Sequence, residues 1–125
     1  MRHRVPAATL HYMAVEASAL TQLRRGALEH CVLALLANGE RYGYDLVMEL
    51  STAGLLASEG TMYPLLSRLR KDALVNTTWR ESDFGPPRRY YSLTQAGADA
   101  VEAFREAWEQ FSTSVNLILN GKGAS

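Results

Sequence analysis

Six apolar residues near the end of the chain, Val101, Phe104, Trp108, Phe111, Val115 and Ile118, are separated by 3, 4, 3, 4 and 3 positions. That alternation is a heptad seam over about two and a half repeats, the pattern of a helix buried lengthwise against another helix. A chain of 125 residues is one domain's worth. Its remainder cannot cover such a stripe and also fill its own core, so a second copy of the chain is the expected partner. Thr94 is a fair N-cap for this helix, with Gln95 just inside it, and Asn120-Gly121 ends it.

Upstream, the apolar spacing predicts three more helices. From about Ser18 to Asn38, Leu20, Leu23, Ala27, Cys31 and Leu35 recur at helical intervals, and Leu28, Val32 and Leu36 widen the stripe. From about Gly43 to Ala53, Leu46, Val47 and Leu50 share one side, and Gly54 supplies the stop. The third begins near Ser58, with Met62, Leu65, Leu66 and Leu69 on its apolar face and Thr61, Arg68 and Lys71 opposite, Tyr63 beside them. Pro64 has no N–H and leaves the carbonyl four residues back unpaired. The expectation is therefore a loose first turn over 58–61, capped by Ser58 or Thr61, and a regular helix after it.

The period then changes. Leu74 to Arg80 and Arg89 to Leu93 are rich in β-branched and aromatic residues, and Glu81 to Pro87 is turn material. This predicts two antiparallel strands joined by a longer loop. The order helix, helix, helix, strand, strand, long helix gives a mainly α fold with a β-hairpin: a winged helix-turn-helix with a long C-terminal dimerisation helix. The expected division is an N-terminal extension over 1–17, flexible or partly helical; a winged head over 18–93; the dimerisation helix over 94–120; and a frayed tail over 121–125. Met13 competes with Met1 as the natural start.

The formal net charge is zero, but it is unevenly spread. From Gly60 to Leu93, Arg68, Arg70, Lys71, Arg80, Arg88 and Arg89 stand against Asp72, Glu81 and Asp83, a balance of +3; from Thr94 onward, Arg105 and Lys122 stand against Asp99, Glu102, Glu106 and Glu109, a balance of −2. A local basic surface is what a nucleic-acid partner requires. His3, His11 and His30 are scattered, with no metal-ligand spacing, and no phosphate-binding glycine loop occurs, so neither an enzyme nor a cofactor or metal is expected. Cys31 is the only cysteine and sits among leucines and valines. It reads as an inert thiol, and its solitude fits a reducing cytoplasm. No apolar run approaches the roughly 20 residues of a membrane span, and no signal-peptide core follows Arg2 and Arg4.

A helix-turn-helix unit places its second helix in the major groove, with base contacts from the N-terminal end. Residues 58–72 take that role here. Ser58 caps the helix, Gly60 allows close backbone approach, and Thr61 and Tyr63 reach phosphates or base edges. Arg68 and Lys71 lie further along, while Arg80, Arg88 and Arg89 flank the hairpin loop. Plainer readings stay open: Tyr63 packing beside the core, Arg68 and Lys71 as a solvated face, and one of Arg88 or Arg89 pairing with Glu81 or Asp83.

Four stretches in order resemble the PadR family of transcriptional regulators: Leu23-Arg24-Arg25-Gly26-Ala27-Leu28-Glu29; Tyr42-Gly43-Tyr44-Asp45-Leu46; Gly60-Thr61-Met62-Tyr63-Pro64-Leu65-Leu66-Ser67-Arg68-Leu69; and Gly85-Pro86-Pro87-Arg88-Arg89-Tyr90-Tyr91-Ser92-Leu93-Thr94 with Gly97. The resemblance implies a winged-helix homodimer that binds an inverted-repeat operator in double-stranded DNA and represses transcription. It brings Tyr44 and Pro64 into the DNA-facing set. With a single terminal helix, the chain looks like the compact subfamily. There that helix meets its partner and the N-terminal helix, which adds Leu20 and Leu23 to the interface, and some members bind flat aromatic or phenolic effectors there. Trp108 matches a tryptophan that stacks on such ligands; its alternative is packing at the interface alone. Ala73 departs from the pattern, which often has glycine between the recognition helix and the strand, and a slightly different turn is expected. The rival functions are a winged-helix protein-interaction module and a repressor without an effector.

Overall fold

The computed structural model describes residues 4–121. Its first helix, α1, spans Ala7–Ala37, so it starts eleven residues before Ser18, and most of the expected extension is helical. Ala, Leu, Met and Glu dominate 7–17 and favour a helix intrinsically. Periodicity misses the segment because its apolar residues, Leu10, Tyr12, Met13 and Val15, are all exposed and mark no core-facing side. Only the second half of α1 reaches the core, through Leu28, Val32, Leu33 and Leu36.

Helix α2 spans Gly43–Thr52 and buries Leu46, Val47 and Leu50. It closes at Gly54, whose φ of +76° lets Leu55 N–H bond back to the Leu50 carbonyl at 2.9 Å. Arg24 of α1 donates to the Gly54 carbonyl at 2.9 Å, tying the next loop to the first helix. Helix α3 then runs unbroken over Glu59–Lys71. Ser58 is its N-cap, its hydroxyl accepting from Gly60 N–H at 3.2 Å. There is no loose turn over 58–61: Pro64 costs the helix one hydrogen bond without interrupting it.

The α3 C-terminus departs from expectation at Ala73, which adopts a left-handed φ of 59°. Its cause is visible in the bonds around it. Ala73 N–H reaches the Arg70 carbonyl at 3.0 Å and Leu74 N–H the Leu69 carbonyl at 3.0 Å, the pair that ends a helix at a left-handed residue. An alanine held there costs about 1–2 kcal/mol.

The sheet has three strands, not two. Strand β1 is the dipeptide Arg41–Tyr42, too short to leave a pattern. Strands β2, Val75–Ser82, and β3, Gly85–Leu93, form the hairpin, and the order is β1-β3-β2. Arg41 pairs with Tyr91 and Tyr42 with Tyr90. The hairpin loop is shorter than expected, since Ser82 pairs with Gly85 across Asp83-Phe84. Pro86 and Pro87 are strand residues because the ladder is irregular there: Arg80 pairs with Arg88, leaving Glu81 opposite both prolines, and proline is tolerated at such bulges.

Helix α4 spans Gln95–Leu119. Thr94 caps it, its Oγ1 accepting from Gly97 N–H at 3.0 Å. The same hydroxyl donates to the Ala73 carbonyl at 2.8 Å, and Thr94 N–H bonds to the Leu74 carbonyl at 3.1 Å. Gly97 lies against this turn so closely that an added Cβ would fall 2.2 Å from the Leu74 carbonyl oxygen. Val101 is 5% exposed and belongs to the protomer's own core. It has no surface to offer a partner, so the seam proper starts at Phe104. Residues 122–125, most of the expected frayed tail, lie outside the described residues.

Two substitutions probe this junction. Ala73→Gly relieves the left-handed strain at the cost of glycine's freedom in the unfolded chain, for a net gain of about 0.5–1 kcal/mol. Gly97→Ala drives a methyl group into backbone and costs at least about 2 kcal/mol. Urea unfolding of the two variants reads both signs.

Candidate nucleic-acid interface

The buried side of α3 is Met62, Leu65, Leu66 and Leu69. At 3.6 residues per turn, the stripe directly opposite is Gly60, Pro64, Ser67 and Lys71, all exposed. Tyr63 and Arg70 lie at one edge of that stripe, and Tyr63 leans toward the sheet, beside Gly43 and Tyr91. Thr61 and Arg68 lie at the other edge, toward α1, where Arg68 forms an ion pair with Glu29 at 3.4 Å. Arg68 and Lys71 therefore do not share a position: Lys71 is central and free, Arg68 lateral and held. Ser67 and Arg70 were overlooked in the sequence, although projecting the helix from its buried face finds both. Glu29, thirty-nine residues before Arg68, has no local signature.

Burial pushes the Tyr63 phenol above its ordinary pKa, and Tyr42, Glu59 and Tyr91 add to the shift. Tyr63 is thus a hydroxyl donor at neutral pH. Tyr44, in the first turn of α2, is about half exposed, with its ring 6.3 Å from that of Tyr42. Ser58 is engaged as the cap described above and retains its hydroxyl proton for another acceptor.

In the hairpin each arginine rests on an aromatic ring. Arg88 lies 4.8 Å over Tyr42, Arg80 4.9 Å over Tyr90 and Arg89 4.7 Å over Trp79. Among the described residues no ion pair joins Arg88 or Arg89 to Glu81 or Asp83; Arg80 is the paired one, with Glu40 at 2.5 Å. Arg88 and Arg80 are cross-strand partners on one face of the hairpin, and Arg89 and Trp79 on the other. Arg89 Nε is buried without a hydrogen-bond partner. Tyr42, Trp79, Phe84, Arg88 and Arg89 border a cleft of about 340 Å³ at the hairpin, to which α3 contributes Tyr63. These guanidiniums are stacked while most of their N–H donors remain unused, a form suited to phosphate.

The arm helices carry a second feature. His30 stacks flat on Phe104, with centroids 4.3 Å apart and planes within 5°. Trp108 follows at 6.2 Å from Phe104, and Phe111 at 6.4 Å from Trp108. Leu23, Gly26 and Ala27 of α1 face Phe104, Trp108 and Phe111 across an apolar groove of about 410 Å³. Leu20, Val115 and Ile118 are exposed beyond it. Cys31 is partly buried, which raises its thiol pKa. Among the described residues no cluster of His, Cys, Asp and Glu could hold a metal, and no helix is long and apolar enough to cross a membrane.

Three helices, the first of them long, leading into a β-hairpin, with the second helix of the turn exposed beside it, define a winged helix-turn-helix protein. The chain belongs to the PadR-like family of transcriptional regulators, whose family model matches residues 32–103. It is 36% identical over 96 residues to the transcriptional regulator Rv3488 of Mycobacterium tuberculosis, covering 77% of this chain and 89% of the relative. Its fold is similar to the crystal structure of a PadR-like regulator from Bacillus cereus, with a TM-score of 0.72, 40% identity, and coverage of 78% of this chain and 96% of that one. It is also similar to a PadR family regulator from Eggerthella lenta, with a TM-score of 0.79, 31% identity, and coverage of 88% and 96%. The chain is accordingly a DNA-binding transcriptional regulator and not an enzyme.

Lys71→Ala removes the central cation of the exposed stripe of α3. It should weaken binding to all DNA sequences alike and lower the slope of log affinity against log salt by about one. Glu29→Gln, which frees Arg68, should leave that slope unchanged or steeper; fluorescence anisotropy across a salt series measures both.

Proposed function

We propose that the protein is a homodimeric repressor of an inverted-repeat operator, released by a flat aromatic or phenolic ligand. The observation that carries the dimer is the apolar surface left open on both arms. Leu10, Met13, Leu20 and Leu23 of α1 and Phe111, Ile118 and Leu119 of α4 are all exposed, and every residue of α1 from 7 to 23 is exposed. A continuous apolar surface of this kind marks an interaction site, and a heptad seam selects another helix as its cover. Two-fold pairing of the arms presents two copies of α3, matching half-sites one helical turn apart. Such a dimer on a promoter excludes transcription by occupancy.

Trp108 supports the effector reading. Its ring is half exposed and borders the apolar groove between the arms, which suits a planar ring more than a polar ligand. A ligand seated there lies at the join between copies, where it alters the spacing of the two recognition helices.

The dimer is tested at Phe111 and Ile118, not at Phe104, whose stacking on His30 lies within the protomer. Ile118→Asp leaves the head intact and places a charge in the seam, so it should sediment as a monomer and lose operator affinity at least about a hundredfold. For the effector, a Trp79→Phe background isolates Trp108 fluorescence. Saturable quenching by planar aromatics, together with release of DNA, is the expected result. A protein-interaction module would instead bind all DNA weakly and without sequence preference.

A further inference from the structure

Helix α1 is gripped by the head only from Leu28 onward, where Leu28, Val32, Leu33 and Leu36 are buried. Before Leu28 no residue of α1 is buried, and in α4 burial ends at Val101. The arm, residues 7–27 of α1 with 104–119 of α4, therefore projects from the head with every residue at least partly exposed. Among the described residues a single polar side-chain contact crosses from arm to head, the Arg24 Nε–H donating to the Gly54 carbonyl at 2.9 Å. The other polar contacts of the arm, Thr21 to Ala17, Ser112 to Glu109 and Arg105 to Glu102, stay within one helix.

The acceptor lies inside the helix-turn-helix pair. Gly54 ends α2 with a φ of +76°, and its carbonyl has no backbone donor among the described residues. Four residues later Ser58 caps α3. Arg24 thus holds the connection between α2 and α3. Its place along α1 matters as well. Arg24 sits about 6 Å beyond Leu28, and Ala7 about 32 Å beyond it, at 1.5 Å per residue. A slack of about 1 Å at Arg24 grows to about 5 Å at Ala7. The other tie of α1, Glu29 to Arg68, lies past Leu28 in the gripped half and cannot steady the arm. Arg25 carries the same charge as Arg24 but forms no ion pair among the described residues.

We propose that Arg24 is a positioning residue for DNA binding. It braces the arm against the helix-turn-helix unit and so fixes the separation and rotation of the two copies of α3 in the dimer. This rests on the homodimer reading above. In such a pair each α3 is placed relative to the other only through the arms, so an angle left free at Arg24 is a spacing left free on the DNA. One added base pair moves a half-site by about 3.4 Å and rotates it by about 35°. An unbraced pair can follow that change and a braced pair cannot.

The test uses the full-length protein and an inverted repeat selected by it from random DNA. One base pair is added or removed between the half-sites and, separately, one half-site is scrambled; fluorescence anisotropy reads the affinities. The parent should lose at least about tenfold on either altered spacing. Arg24→Met keeps the apolar stem and removes the donor, while Arg25→Met removes the same charge and leaves the brace. Arg24→Met should melt within a few degrees of the parent by circular dichroism and bind the scrambled DNA within about twofold of it. On the selected repeat it should bind about threefold to tenfold more weakly, the effect of one exposed hydrogen bond, and its spacing penalty should fall to within about threefold. Arg25→Met should follow the parent throughout. Arg24→Met retaining the full spacing penalty overturns the proposal. So does equal weakening on one half-site and on two, which would make Arg24 a DNA contact or a stabiliser of the fold. An Arg25→Met that matches Arg24→Met also overturns it, assigning the effect to charge. A parent that is indifferent to spacing, or selects no inverted repeat, overturns the homodimer reading as well.

Discussion

The hydroxyl of Thr94 accepts from Gly97 N–H at the start of α4 and donates to the Ala73 carbonyl at the end of α3, and the rest of the architecture hangs from that contact. Helix α3, the hairpin and helix α4 all begin or end within a few residues of it. Ala73 must turn left-handed for Leu74 to enter β2, and Gly97 must lack a side chain for α4 to pass the Leu74 carbonyl. The strain at Ala73 is local, and the bonds around it offset that strain. Position and direction of three elements are thereby fixed by one side-chain oxygen, two main-chain carbonyls and one missing methyl group.

What the sequence made legible follows from where its signals are local. The Thr94 cap, the Gly54 stop and the change of period at Leu74 are local signals, and each is found where it was read; the heptad spacing falls on the single helix α4, without Val101 on its open side. What escaped depends on distant partners. Strand β1 exists because Tyr90 and Tyr91 are there to pair with it. Arg68 is drawn aside by Glu29 of another helix, and Val101, the first residue of the seam, faces its own core because α4 is still crossing the head at that point. The N-terminal half of α1, expected as flexible or partly helical, is built by propensity alone, and a reading tuned to periodicity has nothing there to mark its bounds.

Within the candidate interface, the residue types were legible and their geometry only partly so. Composition placed Arg80, Arg88 and Arg89 in the hairpin, but not their stacking on Tyr90, Tyr42 and Trp79. Stacking on a ring limits the freedom of a long side chain before any partner arrives, so less entropy is lost on contact. A chain of zero net charge can thus hold a few cations in place on both faces of its hairpin while the acidic residues of α4 lie on another element.

Helix α1 is continuous over 31 residues, a rod of about 46 Å at 1.5 Å per residue. Its last turns are part of the head's core, and its first turns reach the surface where the second copy is proposed to bind. Head and arm therefore share one lever with no break in its backbone. In such a pair, a change of only about 5° in the angle at which the arms cross would carry the far end of the rod through about 4 Å, on the order of the rise of one base pair. A regulator built this way has no need of a hinge: its gearing lies in the ratio between where the arms are held and where the DNA is touched.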